Sequence, residues 1–138
     1  MEFATKCLHA GYSPKNGEPR VQPIVQSTTF IYDSAEEIGK LFDLQAAGYF
    51  YTRLANPTTN AAEEKITALE GGVATMCTAS GQSAVFYAML NILEAGDHFI
   101  SSSCVYGGTY NLFAHTFKKM GIEVSFVDQD LPLEELKK

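Results

Sequence analysis

At 138 residues, 46% of them hydrophobic and 19% charged, the chain is the length of one ordinary domain and apolar enough to build a core rather than stay disordered. Its formal net charge is −6 with ten scattered Lys and Arg, which excludes the basic face that nucleic acid or an anionic membrane surface requires. Three distant cysteines (Cys7, Cys77, Cys104) make no Cys-x-x-Cys pair and no even disulfide set, as in a reducing compartment.

Residues 1–33 are rich in Pro, Gly, Ser and Thr without sustained period, and read as an extended arm that needs another surface to lie on. A helix is predicted over "DSAEEIGKLFDLQAAG". Ser34 and Glu37 have capping-box spacing, Ile38, Leu41, Phe42 and Leu44 make an apolar stripe, and Gly48 is its expected stop. "YFYTRLANP" is irregular. The next helix starts near Pro57, places Ala62, Ile66 and Leu69 on one side and ends at Gly71-Gly72.

From Val73 the rhythm changes. "VATMCTAS" reads as a buried strand, "QSAVFYAMLNILEAG" as an apolar helix closed by Gly96-Asp97, and "HFISSSCVY" as a second strand. "TYNLFAHTFKKMG" is a second helix, "IEVSFVD" a third strand and "LPLEELKK" the first turns of another helix. Strands alternating with helices and apolar on both faces predict an α/β fold with a covered, mostly parallel sheet. Three strands are few for such a sheet, so the chain is expected to be the front portion of a longer protein. No apolar run nears the roughly 18 residues of a membrane helix. Nor is there a charged-then-apolar signal segment, and a soluble cytoplasmic protein is expected.

Candidate chemistry gathers where helices begin. The turn Ser80-Gly81-Gln82-Ser83 carries no acid, base or metal ligand, yet the first amides of a helix point outward at the positive end of its dipole. A phosphate can be held there by backbone alone, with Gly81 allowing close approach. A plain strand-to-helix glycine is an equal reading, and the turn taken alone also fits a small nucleotide- or phosphate-binding domain. Tyr106, at the carboxyl end of the second strand and followed by Gly107-Gly108, is either a packed aromatic or a face for a flat ring. Tyr51 and Arg53 in "YTR" are either loop surface or a hydroxyl and guanidinium for phosphate. His9, His98 and His115 are too dispersed for a metal site, and the Glu pairs read as solvated helix faces.

Taken in order, "TKCLHAGY", "PIVQSTTFIYDSAEE", "YTRLANPTTNAAEEKITALEGG", "ASGQSA" and "VYGGTYNLF" resemble the Cys/Met metabolism family of pyridoxal-phosphate (PLP) enzymes over nearly the whole chain. Within that family the wording is most similar to the O-acetylhomoserine sulfhydrylase branch, with methionine γ-lyase and cystathionine γ-synthase as sister readings. The resemblance implies an aspartate aminotransferase-like fold, with residues 1–57 an arm and oligomerisation segment and 58–138 the first part of the large PLP-binding domain. It implies PLP as cofactor, with backbone amides of Gly81 and Gln82 on its phosphate and Tyr106 stacked on its ring and orienting the substrate. Tyr51 and Arg53 are implied to reach the phosphate of a neighbouring subunit, in a homodimer or homotetramer that acts on a small amino-acid substrate. Tyr106 and Tyr51 are the implied catalytic candidates. The family's cofactor-bonding Lys sits in a Ser-x-x-Lys setting and an Asp pairs its pyridine nitrogen. None of the eight lysines here stands in that setting, so the 138 residues alone are expected to be inactive.

Overall fold

The computed structural model describes residues 1–136 and divides into two compact units, the first Met1–Cys77 and the second beginning at Thr78.

The first unit is helical. The short helix α1, Phe3–His9, packs on the longer α3, Pro57–Glu70. α1 falls inside the arm expected to be extended. It has no side-chain N-cap and gains its stability from α3, where Lys6 Nζ donates to the Ala68 carbonyl at 3.1 Å. The chain leaves α1 through Gly11, whose φ is +86°. A Cβ on Gly11 would lie 2.1 Å from the Ala61 carbonyl oxygen on α3, so both the turn and the close approach need glycine.

α2, Ala35–Phe42, opens as expected, with the Ser34 hydroxyl accepting from the Glu37 amide at 3.2 Å. It stops at Phe42 rather than running to Gly48. Asp43 leaves the helical region and Leu44 takes a left-handed φ of 56°, so the Gln45 amide folds back onto the Lys40 carbonyl. α3 has the predicted ends, with Pro57 in the first turn and Gly71 left-handed at the C-cap; the Asn56 side chain adds an N-cap. Its predicted apolar stripe is not core: no α3 residue is buried, and Ile66 is exposed.

The segment from Val73 is the clearest departure from the sequence reading. It is not a strand. Val73 is fully exposed, and polar groups of the segment turn to α3 instead. The Cys77 amide donates to the Glu63 carboxylate at 2.7 Å, and Thr75 shares a 2.8 Å hydroxyl contact with Thr67. A strand needs a neighbour to pair with, and among the described residues none lies beside it.

The second unit holds the parallel pair. β1, His98–Ser102, and β2, Glu123–Val127, run in register from His98 opposite Glu123 to Ser102 opposite Val127. α4, Gly81–Leu90, precedes them, ending well short of Gly96 because Ile92 and Leu93 turn back onto the Met89 carbonyl. Between the strands, α5 (Gly107–Asn111) continues as a π-helical turn, Leu112–Phe117. That wider turn delivers both Phe113 and Phe117 to the core with Ile122. Phe99 meets Phe113 edge-on at 5.0 Å, and Phe86 packs at 5.8 Å from Phe117. A single turn, α6 (Leu133–Leu136), ends the described chain; Lys137 and Lys138 of the predicted last helix lie outside the described residues. No described helix is long and apolar enough to cross a membrane.

Candidate active site

In the first unit the arm is stitched to the "YTR" segment. Thr29 and Tyr51 form an antiparallel bridge, flanked by the Thr52 amide on the Thr28 carbonyl at 2.9 Å and the Phe30 amide on the Phe50 carbonyl at 3.3 Å. Asn56, only 4% exposed, is the hub beneath them. Its Nδ2 donates to the Val25 carbonyl and to Thr52 Oγ1, each at 3.0 Å, while its Oδ1 accepts from the Thr58 amide at 2.9 Å. The Thr58 hydroxyl in turn accepts from the Val25 amide at 2.8 Å. Every polar atom of a buried amide is thus used to hold an irregular segment in one conformation. Asn56→Ala is expected to cost about 2–4 kcal/mol, a lost cap plus an orphaned carbonyl. Faster amide exchange at Val25 and Thr52 in the full-length protein checks it; unchanged exchange there refutes it.

That scaffold presents Tyr51 and Arg53 side by side. The ring is partly buried, the guanidinium is exposed, and Arg53 Cζ lies 5.0 Å from the Tyr51 centroid. An exposed guanidinium steadied on an aromatic face keeps its donor fork available for an anion. The neighbouring Tyr49 phenol is pushed above its ordinary value of 10.0, first by burial and then by the Glu64 carboxylate, so it stays neutral at neutral pH.

In the second unit the predicted turn caps α4. The Ser80 hydroxyl accepts from the Ser83 amide at 3.1 Å, and the Ala84 amide starts the helix on the Ser80 carbonyl at 3.1 Å. The amides of Gly81 and Gln82 therefore precede the helix's own bonding. Among the described residues nothing lies within 4 Å of a Cβ placed on Gly81, so none of them requires glycine there.

Tyr106 is not at a strand end. β1 finishes at Ser102, and Tyr106 is the residue that opens α5, 77% exposed. Its ring folds back over Gly108, where the Gln82 side chain also arrives. Gln82 Oε1 is buried there with no hydrogen-bond partner among the described residues. The same side chain borders an apolar-walled cleft of about 530 Å³ between α4 and α5, lined also by Phe86, Tyr87, Asn111 and His115.

The predicted residues thus form two groups: Tyr51 with Arg53 on the first unit, and Gly81, Gln82 and Tyr106 on the second. Sequence reasoning missed Asn56 as the hub, although an Asn ahead of a helix-opening Pro is a legible cap. It also missed the crowding at Gly108, a contact between distant residues that no local pattern records.

The chain matches a sequence profile described as Cys/Met metabolism PLP-dependent enzyme over residues 4–138. It belongs to that family. Members similar to it include the O-acetyl-L-homoserine sulfhydrylase of Leptospira meyeri, 50% identical over 129 residues that cover 93% of this chain and 29% of that protein. The L-methionine gamma-lyase of Fusobacterium nucleatum subsp. polymorphum is 45% identical over 135 residues, 98% of this chain and 34% of its own. Among solved structures, one described as an O-acetylhomoserine (thiol)-lyase of Campylobacter jejuni, containing N'-pyridoxyl-lysine-5'-monophosphate, has a TM-score of 0.89 at 34% identity. It is matched over 99% of this chain and 34% of that one. The chain thus spans about a third of the length of the Cys/Met metabolism enzymes it matches, and shares their α/β fold over that span.

The family's cofactor, pyridoxal 5'-phosphate, joins a dianionic phosphate to a flat ring. The residues present fit both parts: two uncommitted amides at the positive end of a ten-residue helix for the phosphate, and an exposed tyrosine ring nearby in the same unit. Gly81→Ala is expected to leave thermal stability unchanged or slightly raised, because Ala is the better helix former by about 1 kcal/mol. It should nevertheless loosen PLP about tenfold. Equal PLP affinity in a fluorescence titration of the full-length variant refutes that role.

Proposed function

We propose that the protein carrying this stretch is a PLP-dependent γ-replacement enzyme that converts O-acetyl-L-homoserine and sulfide to homocysteine and acetate. The observation that supports it most is the pairing, within one unit, of open amides at Gly81 and Gln82 with the exposed Tyr106 ring, in a chain half identical to an O-acetyl-L-homoserine sulfhydrylase.

When bound, PLP supplies an electron sink for the substrate's α-carbon. The protein's own part is to hold and orient. Gly81 and Gln82 bind the phosphate through N–H donors that are in place before the ligand arrives. Tyr106 would hold the cofactor's ring by its face and limit how the amino-acid substrate enters. Tyr51 and Arg53 add a hydroxyl and a guanidinium to the phosphate of a neighbouring subunit, in a homodimer or homotetramer. The exposed apolar residues of the first unit, Ile31 and Leu44 among them, support residues 1–57 as an arm that lies on a partner. Residues 58–138 are then the first part of the large cofactor domain. Three free, exposed cysteines support a cytoplasmic location. The 138 residues by themselves bind or assemble without catalysing.

A methionine γ-lyase is the second reading, on the 45% identity to such an enzyme. The full-length protein should consume sulfide with O-acetyl-L-homoserine and release homocysteine. Production of 2-oxobutanoate from methionine, with no sulfide consumed, would replace the first reading by the second.

A further inference from the structure

We propose that Gly108 is a positioning residue that sets the direction of the Tyr106 ring, with the Gln82 side chain as the opposing stop; this rests on the reading of Tyr106 as the cofactor's stacking partner. Two side chains converge on the bare Cα of Gly108. A Cβ built there would lie 2.3 Å from Gln82 Nε2 and 2.6 Å from Tyr106 Cε1, with Tyr106 Cδ1 at 3.2 Å. The first two are closer than a Cβ can approach without something shifting, and the third is tight. At the adjoining Gly107 a Cβ meets nothing within 4 Å. The two glycines of "YGGT" are therefore unequal: one is free to change and the other is a seat.

The identity of the crowding atoms decides what a methyl group at Gly108 does. Neither is backbone, so the fold can yield without breaking a helix or the β1–β2 pair. Gln82 Nε2 is the end of a flexible side chain and yields by rotating. Tyr106 has two side-chain torsions, a ring 77% exposed and no core packing to resist a swing. The methyl group is therefore relieved by turning the tyrosine away, at little cost in stability. A stacked aromatic contact depends on ring direction, so the cofactor's seat is lost although the protein remains folded. Gln82 contributes from the other side. Its Oε1 is buried without a partner among the described residues, which leaves its amide free to shift and gives the ring only a soft stop.

The test compares Gly108→Ala with Gly107→Ala in the full-length protein, reading PLP affinity, the visible circular dichroism of bound PLP and the melting temperature without PLP. Gly107→Ala is expected to match wild type in all three. Gly108→Ala should keep the apoprotein melting temperature, weaken PLP about tenfold and change the dichroism of the bound ring. A Gly108→Ala protein with wild-type affinity and dichroism overturns the proposal, as does one that melts earlier while its bound PLP signal is unchanged. Tyr106→Ala separates the two levels: if it too leaves PLP binding and dichroism untouched, the stacking role itself fails. If it weakens PLP while Gly108→Ala does not, only the positioning role of Gly108 fails.

Discussion

Phe117→Ala is expected to cost about 3–5 kcal/mol and to open the second unit. Phe117 is completely buried, at 0% exposure, and sits where α4, β1 and the π-helical turn meet. Its ring contacts Phe86 at 5.8 Å, Phe99 at 6.2 Å and Phe113 at 5.5 Å, so truncation leaves a cavity lined by three aromatic rings that cannot all collapse into it. Ordinary domains are stable by only about 5–15 kcal/mol, and a loss of this size is a large share of the whole. Hydrogen exchange in the full-length protein should report it as lost protection at Ile100 and Val124 on the paired strands. Protection within 1 kcal/mol of wild type would contradict the packing described.

The second large effect belongs to Arg53. Its guanidinium is exposed, packed on the Tyr51 ring, and makes no ion pair among the described residues, so removing it should leave the fold intact. If it reaches the cofactor's phosphate, Arg53→Ala removes a charge-assisted contact worth about 1.5–3 kcal/mol. That is about a tenfold to 150-fold loss of PLP affinity. Arg53→Lys should recover only part of it, because an ammonium replaces a planar fork with a point charge. Equilibrium dialysis of PLP against the three full-length proteins reads this directly. Wild-type occupancy in Arg53→Ala would remove Arg53 from the site.

The features legible in the sequence are those with local causes. α3 could be bounded by eye because Pro57 and Gly71 each satisfy a helix end through their own chemistry. The Ser80 turn could be recognised for the same reason. β1 and β2 were legible because their apolar runs are short and bounded by turns. The segment from Val73 has the same composition, but a strand is defined by a neighbour, and its Thr75 and Cys77 bond to α3. α1 could not be read because seven residues without a cap become helical only against α3. The convergence on Gly108 brings Gln82 of α4, 26 positions earlier, against the opening of α5, and only the fold creates it. The Ser80 turn was visible as a pattern, whereas the meeting of Gln82 and Tyr106 beside Gly108 emerged from packing.

The most direct test of the account is the phosphorus NMR shift of PLP bound to the full-length protein, followed from about pH 5 to 8. A free phosphate monoester takes up its second proton near pH 6. A phosphate held by the Gly81 and Gln82 amides at the N-terminus of α4 has that pKa depressed and stays dianionic as the pH falls. The expected result is a shift that does not move across the range. A shift that titrates near pH 6, as free PLP does, would contradict the central claim that this turn holds the cofactor by its phosphate.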